Sequence, residues 1–423
     1  MILGVTCLLI LVGTHLLQHS GSKDLHKGGS DTSPKERQRL AANANQRPND
    51  LYRDYKGRRV TPSSAARKDS MHLTWSYTPP VVFLKTHKTG GSTVQNLLFR
   101  MGEKDGATFA FPHYTYQFNY PDKFRADFVD ELPEGSSNFD ILCSHMRLDI
   151  GQLRSMMPPN TIYVTILREP VLTFESVFSC YTSTVPAFTF AKKAAAVEHR
   201  SALSMFLESP DSFWDPKEPR DGLAKNPMSF DLGLDDQQWD SWQTDLTELE
   251  ETFQLVMIAE HFDESLVLLG ALLKLEFEEL AYVRLNARSA HSLTPLDDIT
   301  KARIRAWNRM DVLLYDFFLK LFREKAAQYG LERLNRDVAR LRASADRISK
   351  KCVSRKEVPP GELEDLIRPL QTDSATVLGY EVKGNLTKQE QGFCMRFVLP
   401  EHHYHAHLYF QQYGRAMRAV PAA

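Results

Sequence analysis

The chain carries almost no net charge. Its 52 lysines and arginines meet 53 aspartates and glutamates across 423 residues, which leaves −1 with histidine neutral. So weak an overall field does not recruit nucleic acid, and any anion binding has to be local. Long apolar runs are scarce too. Only Met1–Leu17 is nearly continuous, broken by Thr6, Thr14 and His15, and a bilayer span needs about 20 residues. Two readings stay open for it, a cleaved signal peptide or a short signal anchor. No basic residue precedes it, whereas Lys23 and Lys27 follow, so the charge distribution does not favour a cytoplasmic N-terminus. Cysteines number five, and Cys7 falls in the apolar segment. The other four, Cys143, Cys180, Cys352 and Cys394, allow three full pairings. Cys352 with Cys394 is the expected one, since both lie in the less regular C-terminal part where a staple helps most. Asn385, Leu386 and Thr387 form the one N-glycosylation sequon, meaningful only in a secretory lumen.

Hydrophobic periodicity is missing from Gln18 to Thr78, a polar stretch rich in Lys, Arg, Ser and Asn that ends at Pro79 and Pro80. It reads as a disordered stem. The expected organisation is therefore a leader over 1–17, a stem over 18–80 and a folded domain over 81–423. With 42% hydrophobic residues, the chain can bury one large core or two modest ones.

The folded part begins on its most informative stretch, VVFLKTHKTGGSTVQNLLFRM, Val81 to Met101. Val81, Val82, Phe83 and Leu84 read as a strand buried on both faces. Val94, Leu97, Leu98 and Met101, at i, i+3, i+4 and i+7, put one apolar stripe on a helix packed against that strand. Between them lie Lys85, Thr86, His87, Lys88, Thr89, Gly90, Gly91, Ser92 and Thr93. Glycines allow close backbone approach, and the first amides of the helix lack intrahelical acceptors, so strand, turn and helix form a cradle for phosphate or sulfate. Lys88 precedes both glycines, whereas a nucleoside-triphosphate loop carries its lysine after the last one. ATP hydrolysis is therefore the weaker reading.

Lysine, threonine, paired glycines, serine and threonine between strand and helix resemble the 5′-phosphosulfate loop of sulfotransferases that use 3′-phosphoadenosine 5′-phosphosulfate (PAPS). FLKTHKT followed by Ser92 and Thr93 is similar, more narrowly, to the Golgi galactose 3-O-sulfotransferases. The resemblance extends over roughly Val81 to Tyr409, through the turn Ser144, His145, Met146, Arg147, the segment Arg168-Glu169-Pro170, the string AEHFDESLVLL and LNARS, in family order. It implies an α/β fold, a P-loop-like parallel sheet flanked by helices with a helical C-terminal part. It also implies a single-pass type II Golgi membrane protein with a lumenal catalytic domain. PAPS would donate the sulfuryl group and the 3-hydroxyl of a β-galactose on a glycolipid or glycan would accept it.

Site residues follow from that reading. FDILC, Phe139 to Cys143, is a second strand, and His145 just beyond it takes the position of catalytic base, with His87 as rival base or acceptor-orienting group. Lys88 stabilises the bridging oxygen. Lys85, Lys88, Thr89, Gly90, Gly91, Ser92 and Thr93 form the 5′-phosphate site, and no metal is required because lysine supplies the charge. TIYVTIL, Thr161 to Leu167, is a third strand ending at Arg168; Ser176 lies eight residues on in the next helix. In the family, that pair grips the 3′-phosphate. RLNARSAHS, Arg284 to Ser292, is a turn expected to close over the nucleotide, with Arg288 among its contacts.

Other features carry bland and functional readings side by side. The aromatic stretch Thr108 to Pro121 suits a sugar face or, more simply, the core. Asn226, Phe230, Asp231 and Gly233 match a family motif, with departures at Pro227 and Ser229, in a region expected to cover the acceptor cleft. Phe253 to Ile258 is a fourth strand and Ala259 to Lys274 a helix, with Glu260, Asp263 and Glu264 at its start read chiefly as capping. From Ile299 to Lys351 charged helices buttress the sheet through Trp307, Leu314, Phe318, Leu321, Leu334, Val338 and Leu341. His403 and His407 have helical spacing for a metal, against a plain reading of His402, His403, His405 and His407 as surface histidines. Two alternatives to the galactose reading stand: a Golgi sulfotransferase acting on glycosaminoglycan uronic acids, and a glycan-binding protein that keeps the fold without turnover.

Overall fold

Four short apolar runs lie side by side and in parallel. In the computed structural model, which describes residues 79–234, 241–285, 295–371 and 376–418, strands β1 (Val81–Leu84), β2 (Ile141–Leu142), β3 (Ile162–Leu167) and β4 (Leu255–Ile258) form one sheet in the order β2-β1-β3-β4. Val82 pairs with Leu142 on one side and Tyr163 on the other, and Thr165 pairs with Val256. From β1 the chain moves outward to β2, then returns across β1 to β3. The order thus reverses between β1 and β3, the place where open parallel sheets bind ligands beyond their C-terminal ends. β1 is wholly buried, and each fully buried Val, Leu or Phe contributes roughly 1.5–3 kcal/mol.

Helix α1 (Gly91–Asp105) carries the expected stripe: Val94, Leu97, Leu98 and Met101 are all buried. Helix α2 (Pro170–Tyr181) starts on Pro170, with the Glu169 side chain accepting from Leu172 N. The short α3 (Pro227–Asp231) and α4 (Phe262–Leu273) follow. Helices α5 (Arg309–Tyr329) and α6 (Leu331–Cys352) are the expected buttress, α5 against β4 and α6 against α4. Leu314, Phe318, Leu334, Val338 and Leu341 are buried there and Leu321 half-buried, whereas Trp307 ends the preceding helix and is buried away from the sheet against Phe206 and Trp214. Helices α7 (Lys388–Val398) and α8 (Glu401–Tyr413) close the chain back onto α1.

Several expectations need correction. Asp263 and Glu264 stand in the first turn of α4, where their charge suits the helix dipole, and Glu260 lies outside the helix, whose N-cap, His261, makes no side-chain capping bond. Glu260 instead accepts from Glu169 N and Tyr315 Oη, and Asp263 from Tyr282 Oη and Arg342 Nε, so two of these acids tie the helix to its neighbours. The C-terminal part is helical as expected and also holds β5 (Val353–Val358) and β6 (Gly379–Val382), an antiparallel pair. Beside it the expected disulfide, Cys352–Cys394, joins the end of α6 to α7, while Cys143 and Cys180 are buried and outside any disulfide. The histidines of α8 are not a surface cluster. His405 is fully buried, His403 Nε2 meets Asp365 O and His407 Nε2 meets Glu103, so the latter two do not converge. Among the described residues no group of three or more His, Cys, Asp or Glu is disposed to hold a metal, and no helix is long and apolar enough to cross a membrane. The leader over 1–17 and nearly all of the stem over 18–80 lie outside the described residues.

Candidate active site

The turn after β1 has a backbone that only particular residues tolerate. Gly90 sits at φ +92° and Lys88 at φ +61°, the left-handed region that a side chain enters at a cost. Arg168, just past the end of β3, donates from Nη1 to the Lys88 carbonyl at 3.0 Å and so holds that conformation. The two halves of the expected nucleotide site, eighty residues apart, are therefore in direct contact. Gly90 is exposed at the mouth of α1, while Gly91 is buried with its α-carbon against the Lys85 stem. Lys88 Nζ has no ion-pair partner among the described residues. An exposed left-handed glycine, a helix N-terminus and an unpaired ammonium fit a phosphosulfate.

Not every predicted ligand turns toward the mouth. The Lys85 ammonium points inward to Gln95 Oε1 and Glu401, so its expected contact with the anion is replaced by a buried ion pair. The Thr89 hydroxyl is wholly buried, on the Thr86 hydroxyl at 2.8 Å and the Thr86 carbonyl. Thr93 Oγ1 accepts from Leu285 N at 3.2 Å. These two hydroxyls brace the turn, and Ser92 beside them, in the first turn of α1, is half-buried. Ser176 is 3% exposed, two turns into α2. Arg288 lies outside the described residues.

The histidines are brought together. His87 and His145 stack with ring centroids 4.1 Å apart. His145 Nδ1 donates to the Lys85 carbonyl at 2.8 Å, because a carbonyl can only accept, and its Nε2 is therefore the unprotonated acceptor of the neutral ring. Burial, with His87 and Lys85 beside it, holds this imidazole well below its ordinary pKa. His87 has a different partner. Its Nδ1 lies 3.0 Å from both oxygens of Asp231, and its backbone N–H donates to Asp231 Oδ2 at 2.7 Å. Tyr120 Oη donates to Asp231 Oδ1 at 2.8 Å, and its ring packs 4.7 Å from His87. Asp231 is fully buried. A carboxylate on Nδ1 fixes the ring, assigns the proton to that nitrogen and leaves Nε2 to accept one.

Asp231 and Tyr120 are the functional residues that sequence reasoning did not single out. Asp231 was visible only as part of the Asn226 to Gly233 string, whose purpose the fold explains. Asn226, at φ +47°, accepts from Met310 N and Asp311 N on α5. Asp311 in turn accepts from Met228 N, Ser229 N and Ser229 Oγ, at 2.7–3.1 Å. Pro227 opens α3 and Ser229 completes this lock, so both departures from the family pattern have structural work. Gly233, at φ +76°, passes so near the Leu148 carbonyl that a β-carbon would lie 2.3 Å from it. The string clamps Asp231 between α5 and the turn that carries His145.

The aromatic stretch serves the same end. Phe109, Phe111 and Phe118 are core residues, and the segment runs along the His145 turn through Phe118 N to His145 O at 2.9 Å and Phe124 N to Arg147 O at 2.8 Å. Of its rings, Tyr120 is the one against His87.

Comparison with known proteins agrees with this arrangement. The family model described as galactose-3-O-sulfotransferase matches residues 5–412. The chain is 37% identical over 330 residues to the galactosylceramide sulfotransferase of Bos taurus, covering 77% of this chain and 76% of the other. It is 37% identical over 354 residues to galactose-3-O-sulfotransferase 3 of Bos taurus, covering 81% of each. It is also 37% identical over 360 residues to galactose-3-O-sulfotransferase 2 of Homo sapiens, covering 81% of this chain and 87% of the other. With its cradle, its paired histidines and a match along nearly its whole length, the chain belongs to the galactose-3-O-sulfotransferase family.

Proposed function

We propose that the protein transfers a sulfuryl group from PAPS to the 3-hydroxyl of a β-galactose on a glycolipid or glycan. The observation that carries this is the convergence of His87, Lys88 and Arg168 beyond adjacent strands of the sheet, with Arg168 bonded to the Lys88 carbonyl. His87 Nε2 accepts the proton of the attacking hydroxyl, and Asp231 steadies the imidazolium that forms. The hydroxyl oxygen bonds to sulfur as the sulfur–oxygen bond to the 5′-phosphate breaks. Lys88 neutralises the departing phosphate oxygen, and the amides opening α1, with Ser92, hold that phosphate. Arg168 takes the 3′-phosphate, with Ser176 as its expected companion. His145, neutral and stacked on His87, orients the acceptor through Nε2. This exchanges the sequence-based ranking of the two histidines, and the buried Asp231 beside His87 is the reason.

The same reading places the domain in the lumen of the Golgi as a type II membrane protein. The Cys352–Cys394 disulfide supports an oxidising compartment, and Asn385 is exposed for glycosylation. Transfer of labelled sulfate from PAPS to terminal β-galactosides and galactosylceramide, compared with 3-deoxy acceptors and desulfated heparan, tests it. Labelling that requires the galactose 3-hydroxyl supports the proposal. Labelling of heparan alone replaces the acceptor, and bisphosphate binding without transfer to any acceptor replaces the enzyme by a binding protein.

A further inference from the structure

Two residues 316 positions apart in the chain meet beneath the cradle. Lys85 is the first residue after β1, and its ammonium bonds to Gln95 Oε1 at 2.9 Å and to the carboxylate of Glu401, the first residue of α8. The side chains are 3% and 16% exposed. Two parts of the site rest on Lys85. Its carbonyl accepts from His145 Nδ1, and its stem fills the space under Gly91, where an added β-carbon would lie 2.9 Å from Lys85 Cγ. The path of this one residue therefore sets both the His145 ring and the first turn of α1.

The corner is poorly built as a stability device. Gln95 Nε2, Glu401 Oε1 and both ring nitrogens of His405 are buried with no hydrogen-bond partner among the described residues. Each such atom has given up its hydrogen bonds to water without replacement, which is destabilising. A buried ion pair often contributes less than apolar residues of the same volume, whereas removing one member leaves a charge uncompensated.

Resting on the function proposed above, we infer that Glu401 is a positioning residue for sulfuryl transfer. It holds the Lys85 stem and, through it, His145 and the mouth of α1. It touches neither donor nor acceptor.

The test uses the full chain and counts competent sites by calorimetric binding of adenosine 3′,5′-bisphosphate, so that misfolded protein does not enter the rate. In Glu401→Gln, turnover per bisphosphate-binding site falls at least about tenfold, well below the melting temperature, and the acceptor KM rises, because His145 orients the acceptor. In the double variant Lys85→Met with Glu401→Leu, the orphaned charge is gone and the stem remains, so the melting temperature and most of the lost turnover return. Parent-like turnover per site in Glu401→Gln, with only the melting temperature lowered, overturns the inference. A double variant as slow as Glu401→Gln also overturns it, because the Lys85 ammonium itself would then be required. Failure of the parent chain to bind the bisphosphate or transfer sulfate removes the underlying reading instead, and is seen before any variant is made.

Discussion

His87 and His145 lie face to face, their ring planes 16° from parallel and their centroids 4.1 Å apart. Charge on a ring so close is repelled by its neighbour, and His87 is one of the groups that hold His145 well below its ordinary pKa. Asp231 bonds to His87, and burial disfavours charge on His145. The developing charge therefore belongs on His87.

Asp231→Asn keeps the shape of this arrangement and removes the charge. Turnover is expected to fall about 10²–10⁴-fold. Bisphosphate binding changes little, because Asp231 lies behind His87 and not at the cradle. Steady-state kinetics with parallel calorimetry separates the two effects.

Arg168 and Lys88 divide the donor between them. Arg168→Ala loses a guanidinium and the bond that holds Lys88 in the left-handed region, so the donor KM rises about tenfold or more. Lys88→Ala acts mainly on turnover, since its charge matters most as the phosphate oxygen departs. A donor-concentration series on both variants checks the division.

Cys352 and Cys394 close a loop across 42 positions. Replacing both by Ser is expected to lower unfolding free energy by about 3–4 kcal/mol, in line with the entropy of a loop that size. Denaturant titration with and without reductant measures it, and the reductant should affect only the parent.

Asp311 titrates in an unusual range. Burial pushes its carboxyl from 3.8 up to about 7, despite hydrogen bonds from Ser229 and Met228. A raised acid pKa means that the folded state holds a proton the unfolded chain has released, so this group's contribution to stability falls as pH rises from about 4 to about 7. Asp311→Asn removes that dependence. The difference in unfolding free energy between parent and variant should decline across that window and level off above it, as read by denaturant titration at a series of pH values.

The parallel strands and α1 were legible because burial writes directly into the chain. VVFL and TIYVTIL are continuous apolar runs, and Val94, Leu97, Leu98 and Met101 keep a helical period. The glycine turn was legible for a similar reason, since Gly90 and Gly91 answer backbone demands. The direction of Lys85 was not. Its partner Glu401 stands 316 positions away, and no local pattern marks a lysine that turns inward. Asp231 was hidden in the same way, because its meaning depends on Asn226, Ser229 and Gly233 being clamped by α5 and Leu148. Local chemistry marked the histidines as reactive, but only tertiary contacts assign their separate partners.

The most direct test compares His87→Asn with His145→Asn in single-turnover transfer from PAPS to a β-galactoside, each rate expressed per bisphosphate-binding site. Loss of proton acceptance at His87 should slow transfer by about 10²–10⁴-fold, with a markedly smaller loss at His145, felt chiefly in acceptor KM. The reverse order, with His145→Asn nearly inactive and His87→Asn close to the parent, would contradict the assignment of His87 and Asp231 as the catalytic pair.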